Sequence, residues 1–227
     1  MQTPFLEIKI SEDGSSTLYR PDLDEHYHSI HGAIQESMHI FIDAGLRQYS
    51  ERQINILEIG FGTGLNTLLT ILETENASVN YHSIEKFPVE YEIINLINYP
   101  EILGNKAKIW FDKIHEVSWN IEHKITPTFN LQKIKSDLID CVLPDNFYNL
   151  VYFDAFAPEK QPELWNIEIF DKIYNSMKDK GILTTYCAKG SVRRAMQACG
   201  FKVERIQGPP GKREMIRAVK IVADTKV

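Results

Sequence analysis

Cysteine is scarce in this chain. The 227 residues hold three, Cys141, Cys187 and Cys199, odd in number and without a C-x-x-C spacing. They exclude a disulfide framework and a cysteine zinc site, and read as reduced thiols of a cytosolic protein. No apolar run approaches the ~20 residues a membrane span needs, and the N-terminus lacks a charged-then-apolar signal segment. A cytoplasmic location and no membrane partner are therefore expected. Neither a Gly/Ser linker nor an internal repeat appears, so residues 1–227 are expected to form a single domain. Within it, residues 1–50 read as an N-terminal hairpin and helix extension, and residues 51–227 as the core. His26, His28, His31 and His39 crowd one stretch, but no carboxylate or cysteine completes a ligand set at fixed spacing. They read as solvated or substrate-facing, and no metal is expected.

Net charge is −6 and unevenly placed. Between Lys178 and Lys220 stand eleven Lys/Arg against three acids, a balance of +8 that leaves the first 177 residues at −14. A basic C-terminal third on an acidic body is expected of a localised anion-binding face, or else of lysines solvated on exposed helices.

The chain is organised around residues 54–66. Ile54, Ile56, Leu57 and Ile59 make an apolar run too short for a helix, as in a buried parallel strand. Gly60, Gly62 and Gly64 follow at once, and residues 65–72 carry an apolar helical pattern. Glycines admit close backbone approach, and a helix start offers unpaired N–H donors. A dinucleotide fingerprint would need a third glycine where Leu65 stands. The observed spacing, Glu58-x-Gly60-x-Gly62-x-Gly64, resembles motif I of class I S-adenosylmethionine (SAM) methyltransferases, whose cofactor carries an ammonium and a sulfonium.

Further strands are expected at 79–84, 129–134, 148–153, 181–186, 201–206 and 216–222, with a hairpin at 5–19. Helices are expected at 32–44, closed by Gly45, and at 90–97, 166–177 and 191–199. Glu85 ends the second core strand, 21 residues beyond Gly64, where an acid can accept both ribose hydroxyls of an adenosine; Lys86 follows it. Asp137 ends the third and suits the adenine amino group, with Asp112 as its rival. Residues 102–128 give no clear pattern. Asp154 ends the fourth, in Asp154-Ala155-Phe156-Ala157-Pro158, at the carboxyl-end crevice where ligands of open α/β sheets bind. Phe156 and Pro158 would shape an acceptor pocket there, and the plain alternative for Asp154 is a cap on the next helix. The fold expected is α/β, a Rossmann-like, seven-stranded, mostly parallel sheet with helices on both faces.

Four blocks make the resemblance more specific: residues 58–66, residues 85–88, residues 154–158 with Pro162 and Trp165, and Val192-Arg193-Arg194 with residues 211–215. In order and spacing they resemble the methyltransferase part of the bifunctional tRNA 5-methylaminomethyl-2-thiouridine biosynthesis family. The resemblance implies SAM-dependent methylation of the primary amine of 5-aminomethyl-uridine at the tRNA wobble position. Glu58 with Gly60, Phe61, Gly62, Thr63, Gly64 and Asn66 would hold the methionine end, Glu85 and Lys86 the ribose side, and Asp137 the adenine. Arg193, Arg194, Lys212 and Arg213 would meet tRNA. The family's second half, a flavin-dependent oxidase, has no counterpart in these residues, which implies a partner supplying aminomethyl-uridine tRNA. Asp154, with an ordinary pKa of ~3.9, would orient the amine and not deprotonate it. Two other readings remain open: a methyl- or aminopropyl-transferase for a small amine, and a non-catalytic SAM-binding adaptor.

Overall fold

The computed structural model describes residues 5–221. Chain order begins with a small antiparallel sheet, β1 (Glu7–Ile10), β2 (Ser16–Arg20) and β3 (Glu25–His26). A short helix α1 (Ala33–Ser37) continues into a π-helical turn, Met38–Asp43. The core then runs β4 (Gln53–Ile59), α2 (Leu65–Glu73), β5 (Ser78–Glu85), α3 (Tyr91–Ile94), α4 (Tyr99–Leu103), α5 (Asn105–Glu116), β6 (Glu122–Thr126) and β7 (Phe129–Lys135). It closes with β8 (Tyr148–Phe153), α6 (Ile167–Ser176), β9 (Met177–Thr185), α7 (Gly190–Ala198), β10 (Phe201–Gln207) and β11 (Glu214–Lys220).

The main sheet has the order β10-β11-β9-β8-β4-β5-β7-β6. Strands β9, β8, β4, β5 and β7 pair in parallel, and β11 and β6 run against their neighbours. The expected seven strands are present, and an eighth, β6, extends the edge beside β7. Asp112 is not at a strand end: it lies in α5, half-buried and paired with Lys108 at 3.1 Å. Gly45 does not close its helix in a left-handed turn, since its φ is −111°. Position 222, the expected end of the last strand, lies outside the described residues. Among the described residues no helix is long and apolar enough to cross a membrane.

Every residue of β8 is buried, as expected of a central strand covered on both faces. Ile54 and Ile56 pack into one apolar cluster with α2 and α5. Leu57 and Ile59 pack into the other, with α6 and α7. This alternation fixes where Glu58 can point: toward α2.

Candidate functional site

The carboxyl ends of β4, β5, β7 and β8 open into a cavity of about 440 Å³, of the size that takes a drug-sized ligand. Residues 20–36 form its far wall, so the N-terminal segment is part of the site. The segment is bound to the core at several points. Glu36 Oε1 takes a 2.6 Å ion pair from Lys212, and His39 Nε2 donates to the Gln207 carbonyl at 2.9 Å. The His28 ring meets the Thr63 hydroxyl at 3.0 Å, and Thr63 in turn meets the Tyr99 hydroxyl at 3.1 Å.

The glycine turn needs glycine at two positions on the cavity. Gly60 has φ +92°, and a Cβ there would sit 2.6 Å from the Asp154 carbonyl oxygen. Gly62 has φ +51°, and its Cβ would lie 3.1 Å from the Tyr27 ring. The Gly62 N–H donates to Glu85 Oε2 at 3.1 Å, while Glu85 Oε1 accepts from the Phe87 N–H at 2.8 Å. Burial raises the Glu85 carboxyl above its ordinary range, partly countered by these backbone donors. Each carboxylate oxygen keeps a lone pair for a ligand hydroxyl. Beside it, Lys86 Nζ pairs with Asp137 Oδ2 at 2.6 Å, and Asp137 Oδ1 accepts from the Ile139 N–H at 3.0 Å. Lys86 and the Ile139 N–H hold the Asp137 carboxyl below its ordinary value against the opposing effect of burial, which is the largest single influence.

Asp154 lines the opposite end of the cavity, and its Oδ2 accepts from Asn66 Nδ2 at 2.9 Å. Burial pushes its carboxyl up to about 7 from an ordinary 3.8. The raised value differs from the ordinary one expected of this acid, and a carboxyl titrating near neutrality is able to accept a proton at working pH. Around it stand Tyr186, whose hydroxyl donates to the Ala155 carbonyl at 2.9 Å, Phe156, and the Glu36–Lys212 pair. Phe156 packs edge-on against Tyr27 with ring centroids 5.2 Å apart. Six acids and four Lys/Arg line the whole cavity, an acidic excess that suits cationic ligands.

Other expected site residues stand behind the cavity wall. Glu58 is completely buried: its Oε2 accepts from Ser83 Oγ at 2.6 Å and Thr67 Oγ1 at 3.1 Å, and it does not reach the cavity surface. Phe61 packs edge-on against His115 and Trp119, and Gly64 sits against the His115 ring. Thr63 and Asn66 are buried, and Pro158 lies beyond the lining. His28 is not solvated: burial lowers its ring to about 4, so it is neutral.

The basic face is only partly free. Among the described residues Lys189, Lys202, Arg205, Lys212 and Arg217 are each ion-paired. Lys212 faces into the cavity, with Nζ 4.1 Å from the Tyr186 ring centroid, and not outward as a phosphate contact would require. Arg194 and Arg213 are exposed, Arg193 is half-buried, and none of the three lines the cavity. Sequence reasoning missed Arg20, Tyr27, Glu36 and Tyr186 as lining residues. Tyr186 was within reach, since it follows β9 as Asp154 follows β8.

The profile of S-adenosyl-L-methionine-dependent methyltransferases matches residues 102–221, the half of the chain that holds Asp137, Asp154 and the C-terminal hairpin. The chain is similar to the tRNA 5-methylaminomethyl-2-thiouridine biosynthesis bifunctional protein MnmC of Cupriavidus metallidurans, 30% identical over 91% of this chain and 32% of that protein. The crystal structure of MnmC2 from Aquifex aeolicus is 27% identical, with a TM-score of 0.76 over 97% of this chain and 72% of the other. Spermidine synthase from Thermotoga maritima, 12% identical with a TM-score of 0.63 over 98% of this chain and 72% of that one, shares the fold alone. The chain spans about a third of the length of the curated relatives it matches. On the matched profile and the sheet order together, the chain belongs to the S-adenosyl-L-methionine-dependent methyltransferase family.

Proposed function

We propose that this chain methylates the primary amine of 5-aminomethyl-uridine at the tRNA wobble position, giving 5-methylaminomethyl-uridine. The observation that carries the reading is Asp154: a proton-accepting carboxyl beside the glycine turn in an acid-rich cavity, in a chain similar to MnmC proteins. The residues fit the cofactor. A side chain at Gly60 or Gly62 would press on Asp154 or Tyr27, and Glu85 keeps acceptor capacity beside the turn. Bound there, SAM supplies an electrophilic methyl group on a cationic sulfur.

Glu85 would hold the ribose hydroxyls, and Asp137, steadied by Lys86, the adenine amino group. Gly60 and Gly62 would border the methionine end. Phe61, Thr63, Gly64 and Asn66 act from behind, fixing the turn and Asp154. An alkyl amine arrives mostly protonated and without a free lone pair. Asp154 takes that proton on its free carboxylate oxygen and keeps the nitrogen aligned, and alignment is a large part of catalysis in a direct displacement. Phe156 and Tyr27 offer ring surfaces for a base turned out of the tRNA, with Pro158 stiffening their loop. Arg193, Arg194 and Arg213 would contact phosphates, whereas Lys212 shapes the acceptor pocket by holding Glu36. The domain is read as one unit, with residues 1–50 completing the acceptor wall, acting in the cytoplasm. In this reading a second activity supplies the aminomethyl-uridine tRNA.

The test incubates the protein with methyl-labelled SAM and tRNA that carries or lacks the aminomethyl group. Label confined to the aminomethyl tRNA supports the reading; equal labelling of both, or of neither, refutes it.

A further inference from the structure

Arg20 ends β2 with its guanidinium over the cavity. Its Cζ lies 5.9 Å from the Phe87 ring centroid and 5.9 Å from that of Phe156. Phe87 follows β5 and Phe156 follows β8, the strands on either side of β4. The guanidinium therefore spans the cofactor side and the acceptor side of the cavity that it lines. Its fork of five N–H donors is not used up there. Nε and one N–H of Nη2 donate to the Asp22 carboxylate, at 3.0 Å each. Among the described residues Nη1 and the second N–H of Nη2 have no acceptor. Asp22 grips one edge of the fork, and the other edge keeps two parallel N–H groups open. That edge is built to hold an oxyanion by two bonds.

We propose that Arg20 receives a phosphodiester of the substrate tRNA, one flanking the nucleotide whose base is turned into the cavity. This rests on the methyl-transfer reading and names a contact that reading leaves open.

Charge explains the need for it. The acid-rich cavity draws in the substrate ammonium but repels the phosphates on either side of it. Of the four cations lining the cavity, Lys86 is committed to Asp137 and Lys212 to Glu36. Lys160 offers a point charge on a flexible stem, whereas Arg20 is held by two rings and a carboxylate. Arg20 also stands toward solvent, where a polyanion arrives: its brace, the Asp22 side chain, is 54% exposed. Phe156 ties the guanidinium to the base slot, since Tyr27 packs edge-on against the same ring. A base resting on Phe156 and Tyr27 thus leaves its own backbone beside Arg20. The phosphate sets register, and the pocket reads the base. The competing anion is the carboxylate of SAM, and the experiment separates the two.

The test uses Arg20→Met, which loses the charge, and Arg20→Lys, which keeps a charge without the fork. Affinity for tRNA is measured at several salt concentrations, and SAM affinity by calorimetric titration. Arg20→Met should weaken tRNA binding about tenfold and lower the salt slope by ~0.7, one single-strand phosphate contact, with SAM affinity within about threefold of wild type. Uridine 3′,5′-bisphosphate should bind the SAM-loaded wild type about tenfold more tightly than uridine does. Arg20→Lys should cut that margin by about threefold or more, and Arg20→Met should erase it. Unchanged tRNA affinity and salt slope in folded Arg20→Met, or no bisphosphate margin in wild type, would overturn the proposal. So would a loss of SAM affinity of about tenfold with the slope intact, which assigns Arg20 to the cofactor carboxylate. Equal weakening of uridine and its bisphosphate would assign it to the base and overturn the proposal too. If Arg20→Met fails to fold, Arg20→Lys and the wild-type margin decide. If wild type methylates no aminomethyl tRNA, the functional reading falls, while the salt slope and the bisphosphate margin still decide the phosphate contact.

Discussion

Asp154 makes the sharpest prediction, because its burial sets a pH at which the reaction should fail. Its carboxyl titrates at about 7 instead of 3.8. The productive form pairs an ionised Asp154 with a protonated amine, so lowering pH through about 7 removes the acceptor. The ionised fraction is then about nine-tenths at pH ~8, one half at pH ~7 and one-tenth at pH ~6. kcat/KM should accordingly fall about tenfold per pH unit on the acidic side, a limb that reports the free enzyme. An ordinary aspartate would leave the same range flat. Initial rates of methyl incorporation into aminomethyl-uridine tRNA between pH ~5.5 and ~8.5 measure it. Asp154→Asn keeps an oxygen for the Asn66 amide and loses the proton acceptor. It should cost about 10²-fold or more in kcat and abolish the acidic limb. A midpoint near ~4, or the same limb in Asp154→Asn, would refute the assignment of Asp154 as acceptor.

Glu85→Gln should weaken SAM binding by about tenfold or more, as expected for losing a charged acceptor of ligand hydroxyls, and calorimetric titration checks it. Gly60→Ala should lower stability by about 2–3 kcal/mol and Gly62→Ala by about 1, since Gly60 abuts backbone and Gly62 a movable ring; urea unfolding midpoints measure both. Arg213→Glu should weaken tRNA binding and reduce the steepness of its salt dependence by about one phosphate contact. Lys212→Met should leave that salt slope unchanged while slowing methyl transfer, because its charge is committed to Glu36.

Much of the core was legible because its strands are short apolar runs punctuated by glycine or an acid. The stretch from β4 through the glycine turn to α2 reads that way, as do Glu85 after β5 and Asp154 after β8. Strand β6 was not, since Glu122-His123-Lys124-Ile125-Thr126 is an edge strand with one buried residue and no apolar run to betray it. The start of β9 was hidden for a similar reason: Lys178, Asp179 and Lys180 are polar, and Lys180 takes φ +63°. The site was legible where one strand end sufficed. The Glu36–Lys212 pair spans 176 residues and appears only when the N-terminal segment closes on the C-terminal hairpin. Glu58 does not line the cavity although its spacing to the glycines matches a ligand motif, because strand alternation aims it beneath α2.

The central claim is a methyl group placed on the nitrogen of an aminomethyl-uridine in tRNA. Its most direct test is mass spectrometry of nucleosides after the protein has acted, with SAM, on tRNA bearing that base in the presence of an excess of a free aliphatic diamine. The expected result is conversion of 5-aminomethyl-uridine to 5-methylaminomethyl-uridine with the diamine unchanged. A methylated or extended diamine beside unmodified tRNA would contradict it.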